Sequence, residues 1–187
     1  MKAFIAASIE GNDIEIRVDI GFGDAVEPPV ERIRLTPFLP DDPPASVRAY
    51  PPGPVVAEKV QTVLSKSPRI RHRLKDILDV AVLSDRLEFD GAELLASLQA
   101  TCHRRETPLG IEPLDAMVEE LRGRRWEQDW AVMVREKAAK TTWSLTEAVV
   151  RFDGFVRPLL MVTETRVDPG TWPHGGPWTP PGTRGRS

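Results

Sequence analysis

Apolar and polar residues change period partway along the chain, and the change divides it. From Ala3 to Ile9 and from Ile14 to Ile20 apolar residues recur at alternate positions, around the turn Glu10-Gly11-Asn12-Asp13. This is the period of a half-buried strand, so the pattern predicts a hairpin. In its second strand Ile14, Ile16, Val18 and Ile20 share one face, and Glu15, Arg17 and Asp19 the other. Residues 31–36 alternate again. A loop rich in Pro and Asp spans 37–44, and a short strand over 47–50 follows. Asp41 and Asp42 lie between prolines, which favours a solvated turn over a metal site. Asp24 follows two glycines and reads as a turn residue.

Beyond Tyr50 the period becomes helical. Pro51, Pro52 and Pro54 set an extended entry and a permitted first turn. Val56, Val60, Val63 and Leu64 then fall on one face, and Pro68 ends the helix or its tail. A second helix is expected over 71–84, with Leu74, Ile77, Leu78 and Ala81 on one face. Val80, Val82 and Leu83 extend the apolar surface nearly all round, so burial on more than one side follows. Phe89-Asp90-Gly91-Ala92-Glu93-Leu94 reads as a capping box with a hydrophobic staple opening a third helix, to about Arg105. Helices follow from Pro113, around Trp126 and Trp130, and from the capping box Ser144-Leu145-Thr146-Glu147 to about Val162. Gly154 and Pro158 are expected to kink or bend this last helix. From Asp168 the chain is rich in Pro and Gly without periodicity and reads as a disordered tail. The expected fold is α+β: a small N-terminal β-sheet over 1–50, a helical bundle over 51–165, and a tail over 166–187.

Within the two central helices charges interrupt the apolar pattern. Lys59 sits at the rim of the first helix's apolar face, with Glu58 nearly opposite. Asp76 and Asp79, three apart, neighbour each other on the second helix. Charges inside apolar periodicity are costly unless paired or used. Lys59, Arg73 and Lys75 are the partners within reach for the aspartates. One reading is an ion-paired seam between helices. The sharper reading is a polyphosphate site, with lysine and arginine on phosphates and carboxylates for metal or acid–base work.

Composition narrows the remaining classes. The net charge of -3 argues against broad nonspecific nucleic-acid binding and leaves room for a local basic patch. The single cysteine, Cys102, excludes an internal disulfide and fits a reducing cytoplasm. Its apolar neighbours predict a packed, inert thiol. No apolar run is long enough to span a bilayer. His103, with Arg104 and Arg105, suits a helix C-terminus better than a metal site. The tryptophans of the fifth helix read as core, and Arg122, Arg124 and Arg125 as a solvated basic turn.

Several segments taken in order resemble one family. Val18-Asp19-Ile20-Gly21-Phe22-Gly23-Asp24 is similar to a strand motif of the AbiEii nucleotidyltransferase toxins of type IV toxin–antitoxin and abortive-infection systems. Val47-Arg48-Ala49-Tyr50-Pro51, Ala57-Glu58-Lys59-Val60 and Arg73-Leu74-Lys75-Asp76-Ile77-Leu78-Asp79-Val80 continue the resemblance, which covers about 14–160. It implies the palm and helical lobe of a polymerase-beta-type nucleotidyltransferase. The implied reaction transfers a nucleotide from an NTP, with Mg2+, to an acceptor such as tRNA. A cognate antitoxin is implied as a partner. On the resemblance, Lys59, Asp76 and Asp79 are catalytic, Lys59, Arg73 and Lys75 bind the nucleotide, and Asp19 is a metal ligand. The family's earlier Asp-x-Asp motif does not occur in these 187 residues. This departure leads to the expectation of a C-terminal portion of such a protein, or of an inactive module that binds nucleotide or a partner.

Overall fold

The computed structural model describes residues 1–21, 29–37, 39, 41–65, 73–136, 141–165 and 167–181. The expectations for Asp24 and Pro68, and for the start of the second helix at 71, lie outside them. Among the described residues the fold is α+β, with antiparallel strand pairs at the N-terminus followed by six helices.

The first pair joins β1 (Lys2–Ile9) and β2 (Asn12–Asp19), with Ile5 opposite Ile16 and Ala7 opposite Ile14. Glu10 and Gly11 make the turn, both at positive φ, 51° and 84°. The second pair joins β3 (Glu31–Leu35) and β4 (Ala45–Ala49). The expected small sheet is thus built as two separate hairpins. Their apolar residues stay open: Ile5, Ile14, Ile16, Val18 and Ile33 are all exposed. Alternation set the strands, but no described layer covers them.

The core lies among the helices. In α1 (Pro52–Leu64) the prolines occupy the first turn, where a missing N–H costs nothing. The helix buries Val56, Ala57, Val60, Val63 and Leu64. α2 (Leu74–Arg86) buries Leu74, Ile77, Leu78, Val80 and Ala81, and Val82 and Leu83 pack at the core's edge. The burial on more than one side expected of this helix follows from its position between α1 and α6. α3 (Gly91–Arg104) starts at Asp90, whose side chain accepts a hydrogen bond from Glu93 N at 3.0 Å. α4 (Glu112–Leu121) and α5 (Arg125–Glu136) follow, and Trp126 and Trp130 of α5 are buried as expected. α6 (Leu145–Thr165) opens on a reciprocal capping box: Ser144 N donates to Glu147 Oε2 at 2.7 Å and Glu147 N to Ser144 Oγ at 3.2 Å. It continues through Gly154 and Pro158 and buries Phe152, Phe155, Val156, Leu159 and Leu160.

The Pro/Gly-rich stretch corrects the sequence reading. Residues 167–181 are not a disordered tail; they fold onto the bundle. β6 (Thr171–Trp172) pairs with β5 (Phe89–Asp90). Trp172 packs edge-on to Phe155 at 4.9 Å and donates to Ser84 O at 2.7 Å. Trp178 stacks on Phe155 at 5.5 Å and donates to Phe155 O. Composition predicts disorder when a segment has too little apolar surface to offset its ordering entropy. Here two indoles supply that surface. The backbone comes so close that a Cβ on Gly91 would stand 2.6 Å from Gly170 O.

Candidate functional site

The cation and the two acids expected to meet do so. α1 and α2 pack side by side, and the rim position of Lys59 on α1 faces the Asp76–Asp79 edge of α2. Lys59 Nζ donates to Asp79 Oδ2 at 2.5 Å and to Asp76 Oδ1 at 3.3 Å. Lys75 Nζ also donates to Asp79 Oδ2, across one helical turn. Arg73, immediately before α2, places Nη1 4.0 Å from Asp76 Oδ2. Its Nε is buried and has no hydrogen-bond partner among the described residues.

The side chains of Lys59, Asp76 and Asp79 keep between 20% and 28% of their surface exposed. They are therefore neither a sealed ion pair nor a solvated surface bridge. Burial disfavours the charged form of Lys59, but hydrogen bonds and charge from Asp79 and Asp76 outweigh it, so the ammonium is held above its usual range. Burial likewise opposes the Asp79 carboxylate, yet hydrogen bonds and charge from Lys59 and Lys75 bring it below the usual range. The signs follow. Asp79's contribution to stability is complete above its ordinary value of 3.8 and is lost as pH falls through its lowered folded value. That of Lys59 is complete below 10.5 and is lost as pH rises through its raised value. The denaturation free-energy gap between wild type and Asp79→Asn is therefore expected to be constant from neutral pH down to about 3.8, and to close below it. A gap unchanged into strong acid would contradict this assignment.

Lys59 and Asp76 line a cleft of about 230 Å³, together with Tyr50, Val55, Glu58 and Thr62. Pockets for drug-sized ligands run to about 300–1,000 Å³. The cleft is smaller than these. Two of its residues escaped the sequence reading. Glu58 was placed nearly opposite the apolar face, yet it lines the cleft beside Lys59 and its Oε2 lies 3.7 Å from Arg105 Nη2. Tyr50 lies at the strand–helix junction, half exposed; it belongs to the motif Val47-Arg48-Ala49-Tyr50-Pro51, from which no role for it is read. A larger groove, of about 750 Å³, is mostly apolar and contains Val63, Leu64, Leu109 and Met117. Of the cluster, Lys59 and Asp76 line the smaller cleft, and Arg73 belongs to the wall of the larger one.

Asp19 stands apart from this cluster. It ends β2, is more than half exposed, and pairs with Arg17 at 3.2 Å. Among the described residues no three His, Cys, Asp or Glu side chains gather as a metal site. Asp76 and Asp79 already share the lysines. The described donors therefore do not fit a complete metal centre. Cys102 is buried, and burial pushes its thiol up to about 11, as suits a packing residue.

The fold and the site define an α+β protein whose helices hold a cation between two carboxylates at the wall of a small cleft. Residues 2–151 match the family model described as nucleotidyl transferase AbiEii toxin, type IV TA system, and the chain belongs to this family. No curated protein and no solved structure matches it. Membership implies an NTP substrate, a divalent metal in general terms, and an antitoxin partner. Among the described residues no helix is long and apolar enough to cross a membrane.

Proposed function

We propose that the protein transfers a nucleotide from an NTP to the 3′ end of an acceptor such as tRNA, in the cytoplasm. The observation that carries the reading is the Lys59 ammonium, fixed by Asp79 and Asp76 at the wall of a small cleft. An acceptor hydroxyl oxygen bonds to the α-phosphorus and releases its proton to solvent water, the bond to the pyrophosphate oxygen breaks, and pyrophosphate leaves with its charge offset by Lys59. Asp76 and Asp79 position Lys59 or the acceptor. Arg73, with its unpartnered Nε, and Lys75 contact phosphate. Asp19 would give one carboxylate to Mg2+. A metal-dependent reaction needs further ligands than the described residues bring together.

That shortage favours a second reading, a catalytically inactive module that binds nucleotide or a partner protein. Labelled NTPs, magnesium and total tRNA distinguish the two. Label in RNA supports transfer. Nucleotide protection of the thermal midpoint without label supports the inactive module. Neither label nor protection leaves only an ion-paired seam and overturns both.

A further inference from the structure

The β3–β4 hairpin has two chemically distinct faces. Cross-strand register puts Ile33 opposite Val47 and Leu35 opposite Ala45 on one of them. On the other, Arg32 lies directly opposite Arg48, and Arg34 opposite Ser46. Like charges facing each other across a strand pair are destabilising, and an isolated two-stranded hairpin has little stability to spare. No acidic residue shares this face. Arg105, Arg151 and Arg157 each reach a carboxylate, whereas Arg32, Arg34 and Arg48 are exposed and have no ion-pair partner among the described residues. In a chain of net charge -3 this is a local concentration of unneutralised guanidinium.

The hairpin also points somewhere. β4 ends at Ala49, and the next residue, Tyr50, continues the alternation of Ser46 and Arg48. Tyr50 lines the Lys59 cleft with half its surface exposed. Three guanidinium groups therefore lead along one strand face to an open aromatic ring at the cleft. Arginines that track a backbone and an aromatic on which a base stacks are the two components of a single-strand nucleic-acid surface.

We propose that Arg32, Arg34, Arg48 and Tyr50 bind the phosphate backbone and end base of a single-stranded nucleic acid and lead that end to the Lys59 cleft. The role of this strand as acceptor rests on the transferase reading; its binding to the arginine face does not.

The probe is a short fluorescein-labelled polyuridine RNA, followed by fluorescence anisotropy over a range of salt. Wild type is expected to bind with a log–log salt slope of about -2, the value for three phosphates contacted on a single strand. Arg32→Ser/Arg34→Ser/Arg48→Ser should lose about tenfold or more in affinity and most of the slope. The triple lysine variant should keep most of both, and Tyr50→Ala should lose about tenfold. All four positions are exposed, so an unchanged thermal midpoint serves as the folding control. Nucleotide protection of that midpoint should survive in the serine variant. If wild type shows no such protection while its RNA binding still depends on the arginines, the reading of the Lys59 cleft fails and the surface stands. RNA affinity that is absent in wild type, or unchanged in the serine variant, overturns the proposal. Equal loss in the lysine and serine variants overturns it too, because charge would not be the agent.

Discussion

Lys59→Met is expected to lower nucleotide transfer by about 10²–10³-fold, the usual cost of deleting one preorganised charge from a transition-state site. The substitution keeps the side chain's length and apolar stem and removes only the ammonium. Asp76 and Asp79 would then face each other with Lys75 and Arg73 as their remaining cations. Leaving a buried carboxylate without its partner costs about 3–5 kcal/mol, and losing an exposed pair about 1 or less. With about a quarter of these side chains open to water, roughly 2 kcal/mol is expected. Transfer assays and urea denaturation of the same variant measure the two losses separately. Nucleotide protection of the thermal midpoint should vanish as well. A folded Lys59→Met protein that transfers nucleotide at the wild-type rate would remove the ammonium from the mechanism. A variant more stable than wild type, with no change in nucleotide response, would make the cluster a structural seam.

Trp172→Ala is expected to be the most destabilising change in the segment beyond α6, at about 3–5 kcal/mol. Trp172 is buried, touches both Phe155 and Trp178, and donates its indole N–H to Ser84 O. Truncation opens a cavity against Phe155, which sets the cost, and removes one of two donors at Ser84 O, which keeps its hydrogen bond from Gly175 N at 3.1 Å. The urea midpoint with an unchanged m-value is the measurement. A loss below about 1 kcal/mol would mean that residues 167–181 lie on the bundle without supporting it.

How much of this could be read from sequence differs between the site and the fold. The Lys59–Asp76–Asp79 meeting was legible because three constraints coincide: a lysine at the edge of one apolar face, two acids three apart on the next helix, and a short connection between them. The capping boxes at Asp90 and Ser144 were legible because they are local. The placement of residues 167–181 was not. Pro and Gly conceal any period, and the Phe155 ring that receives both indoles lies on an element whose facing side only packing reveals. Glu58 and Tyr50 were missed for a related reason. A helical wheel says which face a residue shares, but not where a neighbouring strand turns into the helix and leaves a cleft.

Sequence alone determined the strand and helix periods, the capped helix starts at Asp90 and Ser144, the α+β class and the family, since each rests on short-range pattern or motif order. Tertiary structure decided that among the described residues nothing covers the hairpins' apolar faces, that the two indoles close the bundle, and that a cleft opens beside the Lys59 ammonium. The physical reason is range. Backbone propensity and capping act over a few residues. Burial and ion pairing depend on which surfaces meet, and an individual residue's period does not specify its partner.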